Sequence, residues 1–509
     1  MSSESKGARF VAFALFFTFF AHALAVVLMG LVLAPMLPGG GLADDMTRAS
    51  MVAAKPILYR VGWAGWQITA VSDVVLGVAL LRARFVPRLP AVVAFVCVLV
   101  AVVPDQWAQF LLVLRGPELA GRDPAAFLAF EREVFPLTSA WAACAYTLAA
   151  AGWSWCFWAA KVWTRALHLL SWFLWPLFMI ASVGALVGLH PIAVAVGNAI
   201  GFFLLELWLV LVTEALLRRD RPFTASGSQA RWRHPSPGLV GRALDAVANS
   251  RFLHALGSVA PDLAFVSDIE DVIYVTWVVP ASQVEHLVPE GLVLERVGPT
   301  KEHAFFTFLT YRHGHFAPRA VGPLRTWAPS PVQSNWRIHV RDPRTDKSGI
   351  TFVTNAVSST LYALAARTLS DGMPMHVPSR ATLERDGETF RLVMEGGEGS
   401  APDCEVTLRA SENRELPEAL RPHFASYEAF LEAVVPQDRA FSSQPWRDQI
   451  TRHEIALGIP LADCVPLEGE VRSKAATALA GPLGTPACFL VRRVAFRLDH
   501  IDRDPMGPR

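Results

Sequence analysis

Two groups of residues in this 509-residue chain have types and spacing that could do chemistry. The first lies at 333–342 (QSNWRIHVRD), where polar and apolar residues alternate. Successive side chains of a strand point to opposite faces. Gln333, Asn335, Arg337, His339 and Arg341 therefore share one face, and Ser334, Trp336, Ile338 and Val340 the other. An arginine on a pocket floor clamps a carboxylate or phosphate through two parallel hydrogen bonds. The competing assignment is a polar face turned to solvent, or a buried arginine tying a helix to the sheet. The second group, His22, Gln67, Asp73, Asn198 and Glu206, interrupts long apolar runs. Ionisable residues at membrane depth are costly and mark ion, proton or substrate paths. Asp73 and Glu206 lie about halfway along their runs, at similar depths, with no Lys or Arg to neutralise them, so they could share a proton or a cation. The alternative is that these groups hydrogen-bond between helices and hold a bundle together.

The elements that must position the second group are apolar helices. Hydrophobic residues make up 52% of the chain and charged residues 18%, against roughly 25% charged in an average soluble protein. A spanning helix needs about 20 mostly apolar residues. Six runs qualify: 10–36, 57–81, 89–114, 136–158, 166–189 and 191–217. The third is interrupted by Pro104-Asp105-Gln106, which predicts a kink or an end there. The first is too long for a cleaved leader, since its apolar stretch continues past Ala23-Leu24-Ala25 to Leu33. Lys6 and Arg9, then Arg82, Arg84 and Arg88, then Lys161 and Arg165, then Arg218, Arg219 and Arg221 fall in alternate connections. The positive-inside bias then puts both termini in the cytoplasm of a cell-membrane protein.

From 220 to 237 the composition turns to Arg, Ser, Pro and Gly, a linker signature. A short amphipathic pattern follows, with Val240, Leu244, Val247 and Ala248 at helical spacing, suited to lying on the membrane interface or docking on what comes next. After Asp271 the period becomes that of strands, at 272–279, 304–311, 333–342, 350–357, 380–384, 389–395, 405–410, 468–472 and 488–498, with helices at 358–369 and 428–435. Asp386-Gly387 and Gly396-Gly397 signal hairpins. The expected domains are a multi-pass helical bundle at 1–221, a linker with its helix at 222–262, and an α+β domain, mainly antiparallel and curved, at 263–509.

Several chemistries have little support. The six cysteines include no CxxC pair, so neither a zinc knuckle nor a redox pair is expected. His313-Gly314-His315 could present two imidazoles, with His303 the nearest third ligand, but exposed loop histidines are the simpler assignment. GxSxG, HExxH, P-loop and Rossmann signatures are missing. A net charge of +1 leaves no footprint for nucleic acid.

Val279-Pro280, VEHLVPEGL at 284–292, QSNWRIHVRD, GITFVTNAVSSTLYALAARTL at 349–369 and DGMPMH at 371–376, in that order, resemble the YqjF-like (DUF2071) family of the acetoacetate decarboxylase-like superfamily. The resemblance covers about 271–395. It implies a curved, barrel-like sheet around a small-molecule pocket, with Gln333, Asn335, Arg337, Arg367 and His376 as its ligand-binding set. Acetoacetate decarboxylases form a Schiff base through a lysine just after a glycine–x–proline turn. Here that turn is Gly372-Met373-Pro374, and Met375 follows it. Methionine forms no imine, Lys347 and Lys474 lie elsewhere, and Gln333 replaces the family's acidic residue. Decarboxylation by that route is therefore not expected, nor is a metal or cofactor. The leading expectation is a membrane protein whose cytoplasmic domain binds a small acidic or lipidic ligand, with the bilayer as its other partner. The alternatives are an enzyme of unassigned reaction, using Arg337 to hold a keto or carboxylic acid and His376 or His339 as acid or base, and a transporter with a regulatory soluble domain.

Overall fold

The computed structural model describes residues 3–40, 44–227, 229–259, 264–369, 372–435, 438–444, 449–456 and 459–505. The boundary expected at 262/263 and the aspartate opening DGMPMH lie outside the described residues. The chain forms two compact units, Met1–Arg221 and Pro222–Arg509.

The first unit is helical: α1 (Ser3–Leu28), α2 (Asp45–Ala54), α3 (Pro56–Arg82), α4 (Arg88–Arg122), α5 (Pro124–Pro136), α6 (Ala143–Ala159), α7 (Arg165–Leu186) and α8 (Pro191–Asp220). Among the described residues, six helical stretches are long and apolar enough to cross a membrane: Lys6–Met36, Pro56–Arg82, Arg88–Arg122, Pro124–Ala159, Arg165–Leu186 and Pro191–Asp220. Large apolar side chains face outward along them, among them Phe203 and Trp172, each 72% exposed. Such a surface suits lipid rather than water. Pro104 does not end the third run, because α4 continues through it to Arg122. The fourth run begins earlier than the sequence suggests: α5 passes through a π-helical turn at Leu137–Ala142 into α6. Pro136, with no N–H and a ring that crowds the preceding turn, stands just before that widening.

The acidic connections are also helical. Asp44 caps α2 by accepting from the Thr47 N–H, and Asp123 caps α5 by accepting from the Ala126 N–H. From α2, the buried Arg48 reaches Glu131 of α5 with two hydrogen bonds, of 2.8 and 3.2 Å. Small residues let helices approach closely. A Cβ on Gly65 of α3 would lie 2.9 Å from the Ala25 Cα of α1, and one on Gly152 of α6 would lie 2.8 Å from the Ala94 Cβ of α4. The first of these approaches brings the polar middle of α1 against that of α3.

The second unit begins with α9 (Leu239–Ala248) and α10 (Arg251–Gly257). The rest is a mixed 14-stranded sheet: β1 (Phe265–Pro280), β2 (Val293–Leu294), β3 (His303–Arg312), β4 (Ala317–Pro318), β5 (Val332–Asp342), β6 (Lys347–Val357), β7 (Met375–His376), β8 (Arg380–Asp386), β9 (Thr389–Glu395), β10 (Cys404–Ala410), β11 (Arg439–Gln444), β12 (Gln449–Ala456), β13 (Val465–Arg472) and β14 (Ala487–Pro505). Its helices are α11 (Ala281–Val284), α12 (Thr360–Leu369), α13 (Tyr427–Val434) and α14 (Lys474–Ala480). The main path runs β4-β1-β3-β5-β6-β11-β12-β14-β13-β10-β9-β8, and β1 also pairs with β14. That pairing curls the sheet, while β4 and β8 remain as ends. Among the described residues, the β6 pairings with β7 and β11 are the only parallel ones between these strands.

The helix at 239–248 docks on this unit, where Trp232 and Ala248 share a core with Val357, Ala363 and Met375. Strands β11 and β12 have no counterpart in the sequence reading. They place Ser442, Thr451 and Arg452 in buried positions, which hides their apolar alternation. Two apolar cores lie on the two faces of the central strands. One contains Trp277, Phe306, Phe308, Trp336 and Ile338. The other contains Tyr274, Phe305, Tyr311, Phe430 and Phe489 and is covered by α13.

Candidate functional site

The alternation at 333–342 is realised in β5, and apart from Arg341, which is exposed at the end of the strand and pairs with Asp346, both faces are buried. Gln333, Asn335, Arg337 and His339 are all buried, on the side of the core that α13 covers. Register sets their neighbours: Tyr311 lies opposite Gln333, Leu309 opposite Asn335, and Thr307 opposite Arg337. On the other side of β5 the pairing shifts between Trp336 and Arg337, so that Asn335 faces Asn355 and Arg337 faces Phe352. A bulge bends the strand and re-aims the side chain beside it, and here that side chain is Arg337.

The far end of this row is fully bonded. Gln333 donates to the Tyr311 hydroxyl at 3.0 Å and to the Asn335 Oδ1 at 2.7 Å. Its Oε1 lies 2.8 Å from the His313 Nε2. An amide oxygen only accepts, so His313 carries its proton on Nε2. Its Nδ1 then accepts from the Ser267 hydroxyl at 2.8 Å. Burial pushes His313 down to about 4, against the raising effect of the Gln333 bond, and keeps it neutral. Asn335 also donates to Tyr311, at 2.9 Å. The Tyr311 oxygen thus takes two hydrogen bonds, which leaves its own proton to be given away.

Arg337 is different. It is 4% exposed, and its Nε and Nη2 atoms are buried without a hydrogen-bond partner among the described residues. Its guanidinium carbon stands 5.5 Å from the centre of the Tyr274 ring. Burial lowers its pKa, and the groups that oppose this are the hydroxyls of Tyr274 and Tyr311 rather than a carboxylate. Burial in turn raises both tyrosines. Two residues on, about 7 Å along the strand, His339 packs its ring 4.9 Å from that of Phe305. Burial first, and Arg337 second, push His339 down to about 3. His339 and Phe305 floor a half-open cavity of about 430 Å³, whose mouth carries Glu295, Lys301, Glu432 and Arg439.

The other expected residues lie elsewhere. Arg367 donates to the carbonyls of Ala230, at 2.6 Å, and Ala248, at 3.3 Å, and so ties α12 to the start of the unit. His376, on β7, shares a 2.7 Å hydrogen bond with Ser400; burial, then Arg367, push it well below its ordinary value. Met375 is buried in the core that contains Trp232. Lys347 begins β6 opposite Asp342, and Lys474 begins α14 on the surface. His303 stacks on His423 at 4.4 Å, apart from the buried His313. Among the described residues no group of three His, Cys, Asp or Glu is set to hold a metal. Tyr274, Tyr311 and His313 complete the row, and the sequence reading did not assign them to it. The signal available was the alternation of β3, which puts Tyr311 on the same face as Thr307.

In the helical unit the structure brings His22 to Asp73, with Nε2 to Oδ1 at 3.9 Å. Gln67 donates to Gln109 at 2.7 Å, and Gln109 donates to Asp105 at 2.8 Å. Asp105, read from the sequence only as part of an interruption, also accepts from Thr138 at 2.5 Å, Tyr146 at 3.2 Å and Gln106 at 3.1 Å. Glu206 is half-buried, and its two carboxyl oxygens have no hydrogen-bond partner among the described residues. Asn198 is half-buried on α8.

Residues 267–436 match the model of the DUF2071 family, described as an uncharacterized conserved protein. No curated protein matches the chain. Several solved structures are similar to its second half. Acetoacetate decarboxylase from Legionella pneumophila is 11% identical, with 48% of this chain and 92% of that one covered and a TM-score of 0.32. An acetoacetate decarboxylase-like enzyme from Sphingomonas wittichii RW1 is 9% identical, with 49% and 95% covered and a TM-score of 0.35. The enduracididine biosynthesis enzyme MppR is 14% identical, with 49% and 91% covered and a TM-score of 0.32.

Proposed function

We propose that the second unit binds a small molecule carrying a carboxylate or phosphate, and that Arg337 is its anchor. The observation that carries this reading is a buried guanidinium with two nitrogens unpartnered among the described residues. Burying a charge without a counter-charge costs several kcal/mol, and an orphaned buried donor is a sign of an unseen ion, water or ligand. The groups around it offer donors: Nε and Nη2 of Arg337 and the proton of Tyr311. Gln333, Asn335 and His313 act one step back, by fixing Tyr311. The Tyr274 and Phe305 rings give the ligand an apolar wall, and the cavity lined by Phe305 and His339, which stops two residues short of Arg337 along β5, is the way in that this reading requires. The helical unit anchors this binding domain in a bilayer. The alternating basic connections support a cytoplasmic side for both termini, and with them the second unit.

The test is a titration of the full chain in nanodiscs with acetate, acetoacetate and inorganic phosphate, read by hydrogen exchange at β5 and native mass spectrometry. At least one anion should protect β5 in the natural protein and leave the Arg337→Met variant unchanged. Equal protection in the variant, or none in the natural protein, rejects the reading. A reporter fused after Arg509 tests the orientation, which is wrong if the reporter is active only outside the cell.

A further inference from the structure

The bond pattern around His22 leaves two acceptors 3.9 Å apart, a separation that a shared proton would draw in to hydrogen-bond range. His22 Nδ1 lies 2.9 Å from the Thr18 carbonyl oxygen on its own helix, α1. A carbonyl only accepts, so Nδ1 carries hydrogen and, in the neutral ring, Nε2 is a bare lone pair. The Asp73 Oδ1 of α3 lies 3.9 Å from that nitrogen. The Oδ1 atom is itself buried with no hydrogen-bond partner among the described residues. His22 is 6% exposed and Asp73 5%. Two acceptors thus face each other inside an apolar bundle with no donor between them.

The neighbours sharpen the case. Asp105, on α4, is close enough to act electrostatically on Asp73, but its own oxygens take bonds from Thr138, Gln106, Gln109 and Tyr146. Four donors satisfy the Asp105 carboxyl, whereas Asp73 has none at Oδ1 among the described residues. Tyr146, on α6, feels both carboxyls. From α8 the group against the imidazole is the Phe202 ring, at 6.4 Å, and Glu206 follows one turn later. The Thr18 hydroxyl donates to the Ser72 carbonyl at 3.4 Å, holding the two helices in register here.

We propose that His22 and Asp73 form a proton-binding site in the helical unit, with one proton shared between His22 Nε2 and Asp73 Oδ1. The proton comes from solvent and returns to it, and no other bond forms or breaks. The shared state is either a carboxylic acid donating to the imidazole or a carboxylate beside an imidazolium. The titration belongs to the pair rather than to one residue. This departs from the sequence reading, which paired Asp73 with Glu206, and it is independent of Arg337.

The experiment is infrared difference spectroscopy of the full chain in nanodiscs during a pH titration, with proton uptake counted by an indicator dye. One proton per chain should be taken up in a step in which carboxyl and imidazole bands change together. Asp73→Asn should abolish the step, and His22→Gln should move its midpoint by about one pH unit or more. A purely structural pair would leave the bands constant, and that result overturns the proposal. So does a step that survives in Asp73→Asn, or bands that follow sodium at fixed pH, which would mark a cation site. The natural protein's own titration decides the matter if either variant fails to fold.

Discussion

Replacing Arg337 with methionine should make the ligand-free protein more stable, not less. Methionine keeps an unbranched chain of similar reach in a site walled by Tyr274 and Thr307. It removes a guanidinium that has two unpartnered nitrogens and no carboxylate opposing the effect of burial. Exchanging buried charge for apolar packing is neutral or stabilising by about 1–4 kcal/mol. Since about 1.4 kcal/mol is a factor of ten in an equilibrium, amides of β5 that exchange by opening of the unit should slow by about 5- to about 700-fold where the exchange is stabilising. Hydrogen exchange of the full chain reads this without requiring a single two-state melt, which a chain of two units does not guarantee. With an anion at about 100 times its Kd the natural protein gains about 2.7 kcal/mol, and the variant gains nothing. If Arg337→Met instead weakens β5 by about 3–5 kcal/mol in anion-free buffer, the guanidinium has a protein partner and the argument fails.

The buried His313 should make the second unit sensitive to acid. Its pKa is depressed from 6.5 to about 4, so the unfolded chain binds the extra proton between those values. The His313 contribution is full above about 6.5 and falls as the pH drops toward 4, by about 3 kcal/mol at about 1.4 kcal/mol per pH unit; His313→Gln should remove that share of the slope in a pH series of β5 exchange rates, leaving the share of the other buried histidines, His339 and His376 among them. In the helical unit Arg48→Met should cost about 3–5 kcal/mol by leaving Glu131 buried and unpaired, seen as loss of monodisperse protein on size exclusion, and adding Glu131→Met should restore most of it. Arg367→Ala should loosen the attachment of α12 to α9 and the segment before it by about 1–3 kcal/mol, because the Ala230 carbonyl loses the Arg367 donor and the Ala248 carbonyl keeps only its contact with the His254 Nε2. It should leave Arg337-dependent anion binding intact; equal loss of binding would place Arg367 in the site.

Periodicity decided a great deal by itself. Apolar runs about 20 residues long mark spanning helices wherever they occur. The alternation of 333–342 placed Gln333, Asn335, Arg337 and His339 on one face before any partner was known. The local match at DGMPMH set Met375 after the turn. Registers and long-range partners were not legible, because they depend on residues far apart in the chain. Whether the polar face of β5 met solvent or a core rested on α13, about 90 residues later in the sequence. Arg367 and Arg337 are both arginines in the matched segment. Only the tertiary structure gave one of them two backbone carbonyls and left two nitrogens of the other without a partner among the described residues. The same holds in the helices. Asp73 and Glu206 look equivalent by depth, yet the close approach of Gly65 to Ala25 brings α1 against α3 and gives Asp73 the imidazole of His22. A one-dimensional pattern fixes which face a side chain takes, but what stands across from it is set by packing.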